Sequence, residues 1–135
     1  MLIQIMATKR ILLLDDDPIT NMINTKLINR DFDFDVTSYT NAQETLFHLQ
    51  RLAESAPQNL PGVIFLDINM PIMDGWEFLE KLQKFPENAL SQCKVFMLTS
   101  SIDLDDIAKS KAYNVVKNFI SKPLTTEKIR SLIES

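Results

Sequence analysis

Five short apolar runs, at residues 11–14, 34–39, 63–66, 95–98 and 119–120, recur along the chain with room for a helix between each pair. The runs are too short to be helices. Strands separated by helical segments have few ways to pair, because parallel neighbours need a crossover of about a dozen residues or more. The intervening segments carry helix start signals. Asp17 followed by Pro18 reads as an N-cap with proline at the first helical position, and Ile19, Met22, Ile23 and Leu27 then recur on what should be an inward face. Asn41 and Glu44 have the spacing of a capping box ahead of Leu46, Leu49 and Ala53. Asp74-Gly75 opens a third helix with Phe78, Leu79 and Leu82 turned inward. Asp103 caps a fourth, and Thr125 or Thr126 starts a fifth carrying Ile129, Leu132 and Ile133. The expected fold class is α/β: a doubly wound, five-stranded parallel sheet with helices on both faces, joined by right-handed crossovers.

At 135 residues with 45% apolar content, the chain suits one domain with a core of its own. A net charge of -4, without clustered Lys and Arg, argues against nucleic-acid and anionic-membrane partners. Cys93 is the only cysteine, which excludes an internal disulfide and fits a reducing compartment. The opening residues 1–6 are apolar but lack a basic leader, and no later stretch approaches the length of a membrane span. A cytoplasmic location is the expectation.

In an open sheet of this kind the strand carboxyl ends share one edge, and ligands bind where the winding reverses. The residues that close the runs are Asp15-Asp16-Asp17, then Asp67, then Thr99-Ser100, then Lys122-Pro123. Singly, each has an ordinary reading as a helix cap, a turn residue or a solvated charge. Together they make an acidic nest with a hydroxyl and one ammonium. Two carboxylates about 5 Å apart repel by roughly 3 kcal/mol at an effective dielectric of about 20, so such a nest needs a cation or a proton. A hard divalent ion such as Mg2+ suits oxygen ligands at a shallow site, and Asp67 on the central strand is the candidate nucleophile.

These residues resemble the receiver domains of two-component response regulators, of the stand-alone type found in bacterial chemotaxis. The motifs are Ile11-Leu12-Leu13-Leu14-Asp15-Asp16-Asp17, the stretch from Ile64 through Asp67 to Met70-Pro71-Ile72-Met73-Asp74-Gly75, Met97-Leu98-Thr99-Ser100, and Phe119-Ile120-Ser121-Lys122-Pro123. The resemblance implies a flavodoxin-like sandwich with strand order 2-1-3-4-5, an N-terminal extension at residues 1–8 and a receiver domain at 9–135. It implies Asp67 as phosphoacceptor, with Thr99 and Lys122 assisting. It also implies Mg2+, or Mn2+ in its place, on Asp16, Asp67 and the Asn69 backbone carbonyl, with Asp15 acting through a water.

Thr99 and Phe119 would form the switch, the ring swinging inward once the hydroxyl moves, and the Lys122–Pro123 peptide would be cis. Asn69 and Ser101, two residues past Asp67 and Thr99, would tune the phosphoryl lifetime. Implied partners are a sensor histidine kinase or histidine phosphotransfer protein, and a downstream protein on the face of the fourth helix, fifth strand and fifth helix. The chain would be a monomer or weak dimer, and not an enzyme beyond its own phosphoryl transfer and slow autodephosphorylation. No output domain is expected, since the chain stops after the fifth helix. The segment before the fifth strand lacks the small residue common in relatives, so Asn114 or Asn118 is expected to adopt the left-handed conformation.

Two other readings compete. A haloacid-dehalogenase-type phosphohydrolase would use Asp15 as nucleophile and Asp17 as acid, but past Lys122 only Glu127 and Glu134 remain to supply its further acidic pair. A receiver-like interaction module without phosphorylation is the other, although Asp16, Asp67, Thr99 and Lys122 are all present. His48, the lone histidine, reads as a surface residue of the second helix. Trp76 reads as a packing aromatic near the site, and so a possible fluorescence reporter.

Overall fold

The computed structural model describes Arg10 to Glu134. The expected extension at residues 1–8, Lys9, Ser135 and the side chains of Ile133 and Glu134 lie outside the described residues. Strands β1 (Arg10–Leu14), β2 (Asp35–Tyr39), β3 (Val63–Asp67), β4 (Lys94–Thr99) and β5 (Val116–Ser121) form one parallel sheet of order β2-β1-β3-β4-β5. The four crossovers carry α1 (Pro18–Asp31), α2 (Ala42–Ser55), α3 (Gly75–Leu82) and α4 (Leu104–Ser110), with a single helical turn at Glu87–Leu90 after α3, and α5 (Thr126–Glu134) follows β5. The expected doubly wound architecture is the observed one.

Side-chain alternation along each strand builds two cores. Ile11, Leu13, Val63, Phe65, Phe96, Leu98 and Ile120 point to the face covered by Ile28 of α1 and Ile129 of α5. Their neighbours Leu12, Leu14, Ile64, Leu66, Val95, Met97 and Phe119 point to the face covered by Leu49 of α2 and by Phe78, Leu79 and Leu82 of α3. Strands buried on both faces read as continuous apolar runs, which is why β1, β3 and β4 were legible. Truncating Phe65 or Phe78, both fully buried, to alanine would cost about 3–5 kcal/mol.

The helix caps follow the local chemistry with some differences. Asp17 Oδ1 accepts from Ile19 N at 2.9 Å and Asp103 Oδ1 accepts from Asp105 N at 2.8 Å. Thr125 caps α5 by accepting from Lys128 N at 3.2 Å. Asn41 accepts from Glu44 N at 2.9 Å as the cap of α2, while the complete reciprocal box joins Asp74 and Glu77 at the start of α3.

Two expectations are corrected. The face of α1 bearing Ile19, Met22 and Ile23 is exposed, not buried. The inward face carries Asn21, Asn24 and Ile28 instead, spaced to share one side of the helix, and Leu27 is only partly buried. Asn21 earns its burial by donating from Nδ2 to the carbonyls of Asp15 and Tyr39, both at 3.0 Å. Second, neither Asn114 nor Asn118 is left-handed; among the described residues only Ile72 has positive φ. The chain leaves α4 through successive short turns, Tyr113 N to Ser110 O at 2.9 Å and Val116 N to Tyr113 O at 3.1 Å. Asn118 uses its side chain to accept from Phe119 N at 2.8 Å, beside a register shift opposite Val95 and Phe96.

Candidate functional site

The sheet order puts β1 and β3 side by side and β4 next to β3, so the residues just past these strands meet at one edge. Asp15 N bonds Tyr39 O at 3.2 Å, and Asp15 Oδ1 accepts from Asp17 N at 2.9 Å, which folds the acidic triplet back on itself. Asp67 ends β3. Lys122 N bonds Thr99 O at 2.7 Å, extending the β4–β5 ladder by one residue to set the lysine at the edge. The Lys122–Pro123 peptide is cis. Lys128 braces this segment from α5, its Nζ donating to Ser121 O at 2.7 Å and Pro123 O at 2.9 Å.

Within this frame Lys122 Nζ lies 3.1 Å from Asp67 Oδ1 and 3.4 Å from Asp15 Oδ2. Asp67 is 2% exposed, Asp15 is buried and Asp16 is exposed. One oxygen from each of the three carboxylates lies within 4.8 Å of the others. Asp15 Oδ2 is buried with no hydrogen-bond donor, so its contact with Lys122 is an ion pair only. A buried oxygen left without a hydrogen bond costs about 1–3 kcal/mol. A buried oxygen without a hydrogen-bond donor, among three converging carboxylates with one ammonium shared by two of them, fits a hard divalent cation, whose ligands are carboxylate and carbonyl oxygens.

Burial pushes the Asp67 carboxyl up to about 6, and the charge of Asp15 adds to this against the opposing hydrogen bonds from Lys122 and Asn69 N. For Lys122, burial works to lower the pKa, but the hydrogen bond and charge of Asp67 together with Asp15 outweigh it and the ammonium is held more firmly. Asp17, at the exposed rim, is lowered mainly by its backbone hydrogen bond from Ile19 N. The site therefore holds a carboxylate that is costly to ionise beside a cation that resists deprotonation.

The remaining candidates divide. Thr99 is buried at the end of β4, but its Oγ1 donates to Ser101 O at 3.0 Å and accepts from Ser101 N at 3.3 Å. Asn69 N donates to Asp67 Oδ1 at 3.2 Å, while its side chain is exposed. Phe119 is 9% exposed and already packs in the core face that holds Met97 and Tyr113. His48 lies on α2 against the ring of Tyr39, with centroids 5.3 Å apart. Trp76 packs 6.2 Å from Tyr113 with Lys109 Nζ 4.6 Å over its ring, and Tyr113 Oη donates to Glu80 at 2.5 Å. Cys93 is buried, and burial raises its thiol to about 11, which keeps it unreactive. Asn21 and Lys128 support the site yet carried no sequence signal; a polar residue on an inward helical face is visible only once the helix is docked.

A doubly wound sheet with acidic groups and an ammonium gathered at the carboxyl edge defines an α/β domain of the ligand-binding-at-the-switch-point class. The chain belongs to the response regulator receiver domain family, which matches residues 11–134. Its fold is flavodoxin-like, and its role is signal transduction in two-component systems. A two-component response regulator from Cytophaga hutchinsonii is 32% identical with a TM-score of 0.82, each chain 93% covered. The sporulation initiation phosphotransferase F of Bacillus subtilis is 24% identical over 96% of this chain and 94% of its own length. A probable methanogenesis regulatory protein, FilR2, of Methanothrix harundinacea is 31% identical over 62% of this chain and 52% of that protein. The chain spans about half or less of the length of the first curated relatives it matches. No described helix is long and apolar enough to cross a membrane.

Proposed function

We propose that this chain is a phosphoacceptor switch of a two-component or phosphorelay system. It takes a phosphoryl group from a phosphohistidine donor onto Asp67 in a Mg2+-dependent reaction, and signals in the cytoplasm through altered protein–protein contacts. The observation that supports this most is the contact of Lys122 with both Asp67 and Asp15, where an oxygen of Asp15 is buried without a hydrogen-bond donor.

The side chains of Asp16 and Asp67 and the backbone carbonyl of Asn69 would hold the Mg2+ or Mn2+, with Asp15 reaching it through a water. When bound, the ion supplies positive charge against the oxygens of the transferring group. Asp67 is ionised at neutral pH, since its pKa is about 6. One of its oxygens forms the new O–P bond as the donor's N–P bond breaks, and the released imidazole takes its proton from water. Lys122 pairs with the phosphoryl oxygens. Thr99 has to give up the Ser101 carbonyl to donate to one of them. Phe119 is already inward before that exchange, so the switch toward the face of α4, β5 and α5 works by repacking around a buried ring, with no tyrosine hydroxyl to offer a partner. Asn69 and Ser101, both exposed, would tune the lifetime of the adduct.

Stoichiometry tests this reading. With acetyl phosphate and Mg2+, the chain is expected to take up one phosphoryl equivalent, and chelation or Asp67→Asn is expected to abolish uptake. Repeated release of phosphate from small esters would instead indicate the phosphohydrolase. Failure of the wild type to take up any phosphoryl group would indicate the non-phosphorylated interaction module.

A further inference from the structure

Both the backbone and the side chain of Ile72 are unfavourable where they stand. Its φ is 68°, and the hydrogen bond from Met73 N to Pro71 O at 2.7 Å closes a three-residue turn around it. That hand of γ-turn is the rare and strained one, and a β-branched residue fits it worst. Asparagine or glycine would relieve the backbone. The side chain is 89% exposed, so packing within the chain does not compensate.

The turn is held from below. Met73 is buried in the core, and Gly75 N bonds Ile68 O at 2.9 Å. A Cβ at Gly75 would meet Asp67 O and the Ile68 Cα at 3.0 Å, so the loop sits tightly on the end of β3. Ile72 is thus held outward by a loop anchored to the strand that ends in Asp67.

Other exposed apolar side chains follow strands that end at the same sheet edge. Ile19, Met22 and Ile23 follow β1, and Ile102 and Leu104 follow β4, all exposed. The loops after β1, β3 and β4 share the sheet edge that carries Asp67. Since Asp67 is 2% exposed, a donor atom must come through this rim to within about 3 Å, and a protein donor must cover it.

We infer that Ile72 is a specificity-determining contact for the protein that donates the phosphoryl group. The strained turn holds an apolar side chain out from the rim, to be buried against an apolar patch beside the donor's phosphohistidine. The inference rests on the reading of Asp67 as phosphoacceptor. Burying the isoleucine in the complex is what compensates the strained turn.

The test compares wild type, Ile72→Asn and Ile72→Leu in the full chain. Two donors are used: acetyl phosphate, and whichever purified phosphorylated histidine-phosphotransfer domain labels wild type fastest. Ile72→Asn is expected to melt about 2–4 °C higher, because the strain is relieved. Its ratio of protein-donor to acetyl-phosphate kcat/KM is expected to fall about tenfold or more, with KM for the protein donor carrying the loss. Ile72→Leu is expected to restore most of that ratio.

An unchanged ratio, equal slowing with both donors, a lower melting temperature for Ile72→Asn, or no protein donor faster than acetyl phosphate on wild type would each overturn the inference. Failure of the wild type to accept label from either donor would instead overturn the reading of Asp67.

Discussion

Lys122 at the end of β5 holds its ammonium 3.1 Å from the Asp67 carboxylate at the end of β3, across a sequence separation of 55 residues. The same ammonium is 3.4 Å from Asp15, so one cation serves two buried anions. Lys122→Met is expected to slow labelling of Asp67 by acetyl phosphate roughly 10²-fold, the loss typical of removing one fixed donor to developing charge. Its stability cost is expected to be smaller, about 1–2 kcal/mol, because the lysine is partly solvated. Rapid-quench labelling and urea melts measure the two separately; equal labelling rates would show that the lysine is only structural.

Asp67 gives the metal-free protein a distinctive pH dependence. Its folded pKa is about 6, against an ordinary value of 3.8, mainly through burial. Between about pH 4 and pH 6 the unfolded chain has released a proton that the folded chain still holds, so stability falls as pH rises through that window. Asp67→Asn is expected to remove this slope and to stabilise the protein in EDTA at pH 7 by up to about 3 kcal/mol, with little effect near pH 4. Mg2+ is expected to raise the melting temperature of wild type more than that of Asp67→Asn or Asp16→Ala. Destabilisation by Asp67→Asn at pH 7 would show that the carboxylate is already satisfied without an ion.

The start of α3 is fastened directly beneath the site. Asp74→Ala breaks the box with Glu77 and is expected to cost about 1 kcal/mol. Gly75→Ala is expected to cost about 1–3 kcal/mol, because its Cβ would press on the backbone of Asp67 and Ile68. Thermal melts with and without Mg2+ check both. The Gly75→Ala change should also weaken the response to Mg2+, whereas Asp74→Ala should leave it largely intact.

Much of this architecture could be read before any coordinates. Doubly buried strands such as β1 and β3 write themselves as unbroken apolar runs, and Asp17-Pro18 announces a helix start by chemistry local to those two residues. The convergence of Asp15, Asp16, Asp67, Thr99 and Lys122 at one edge followed from topology alone. What escaped depends on docking. The apolar spacing of Ile19, Met22 and Ile23 suggested a buried face, but the sheet is met by Asn21, whose amide satisfies two strand-end carbonyls that only the folded chain brings together. β5 is an edge strand with exposed Lys117 and Asn118, so only Phe119 and Ile120 showed as apolar. The left-handed residue fell on an isoleucine, which no propensity argument would select; the chain is anchored just after it, by the burial of Met73 and the bond from Gly75 N to Ile68 O.

The most direct measurement is the position of the phosphoryl group after reaction of the full chain with acetyl phosphate and Mg2+. Reductive trapping with borohydride followed by peptide mass spectrometry reads it. The expected result is a single modified site at Asp67, alkali-labile before trapping and missing in Asp67→Asn. A label on His48, on a serine, or on Asp15 or Asp16 with Asp67 unmodified would contradict the assignment.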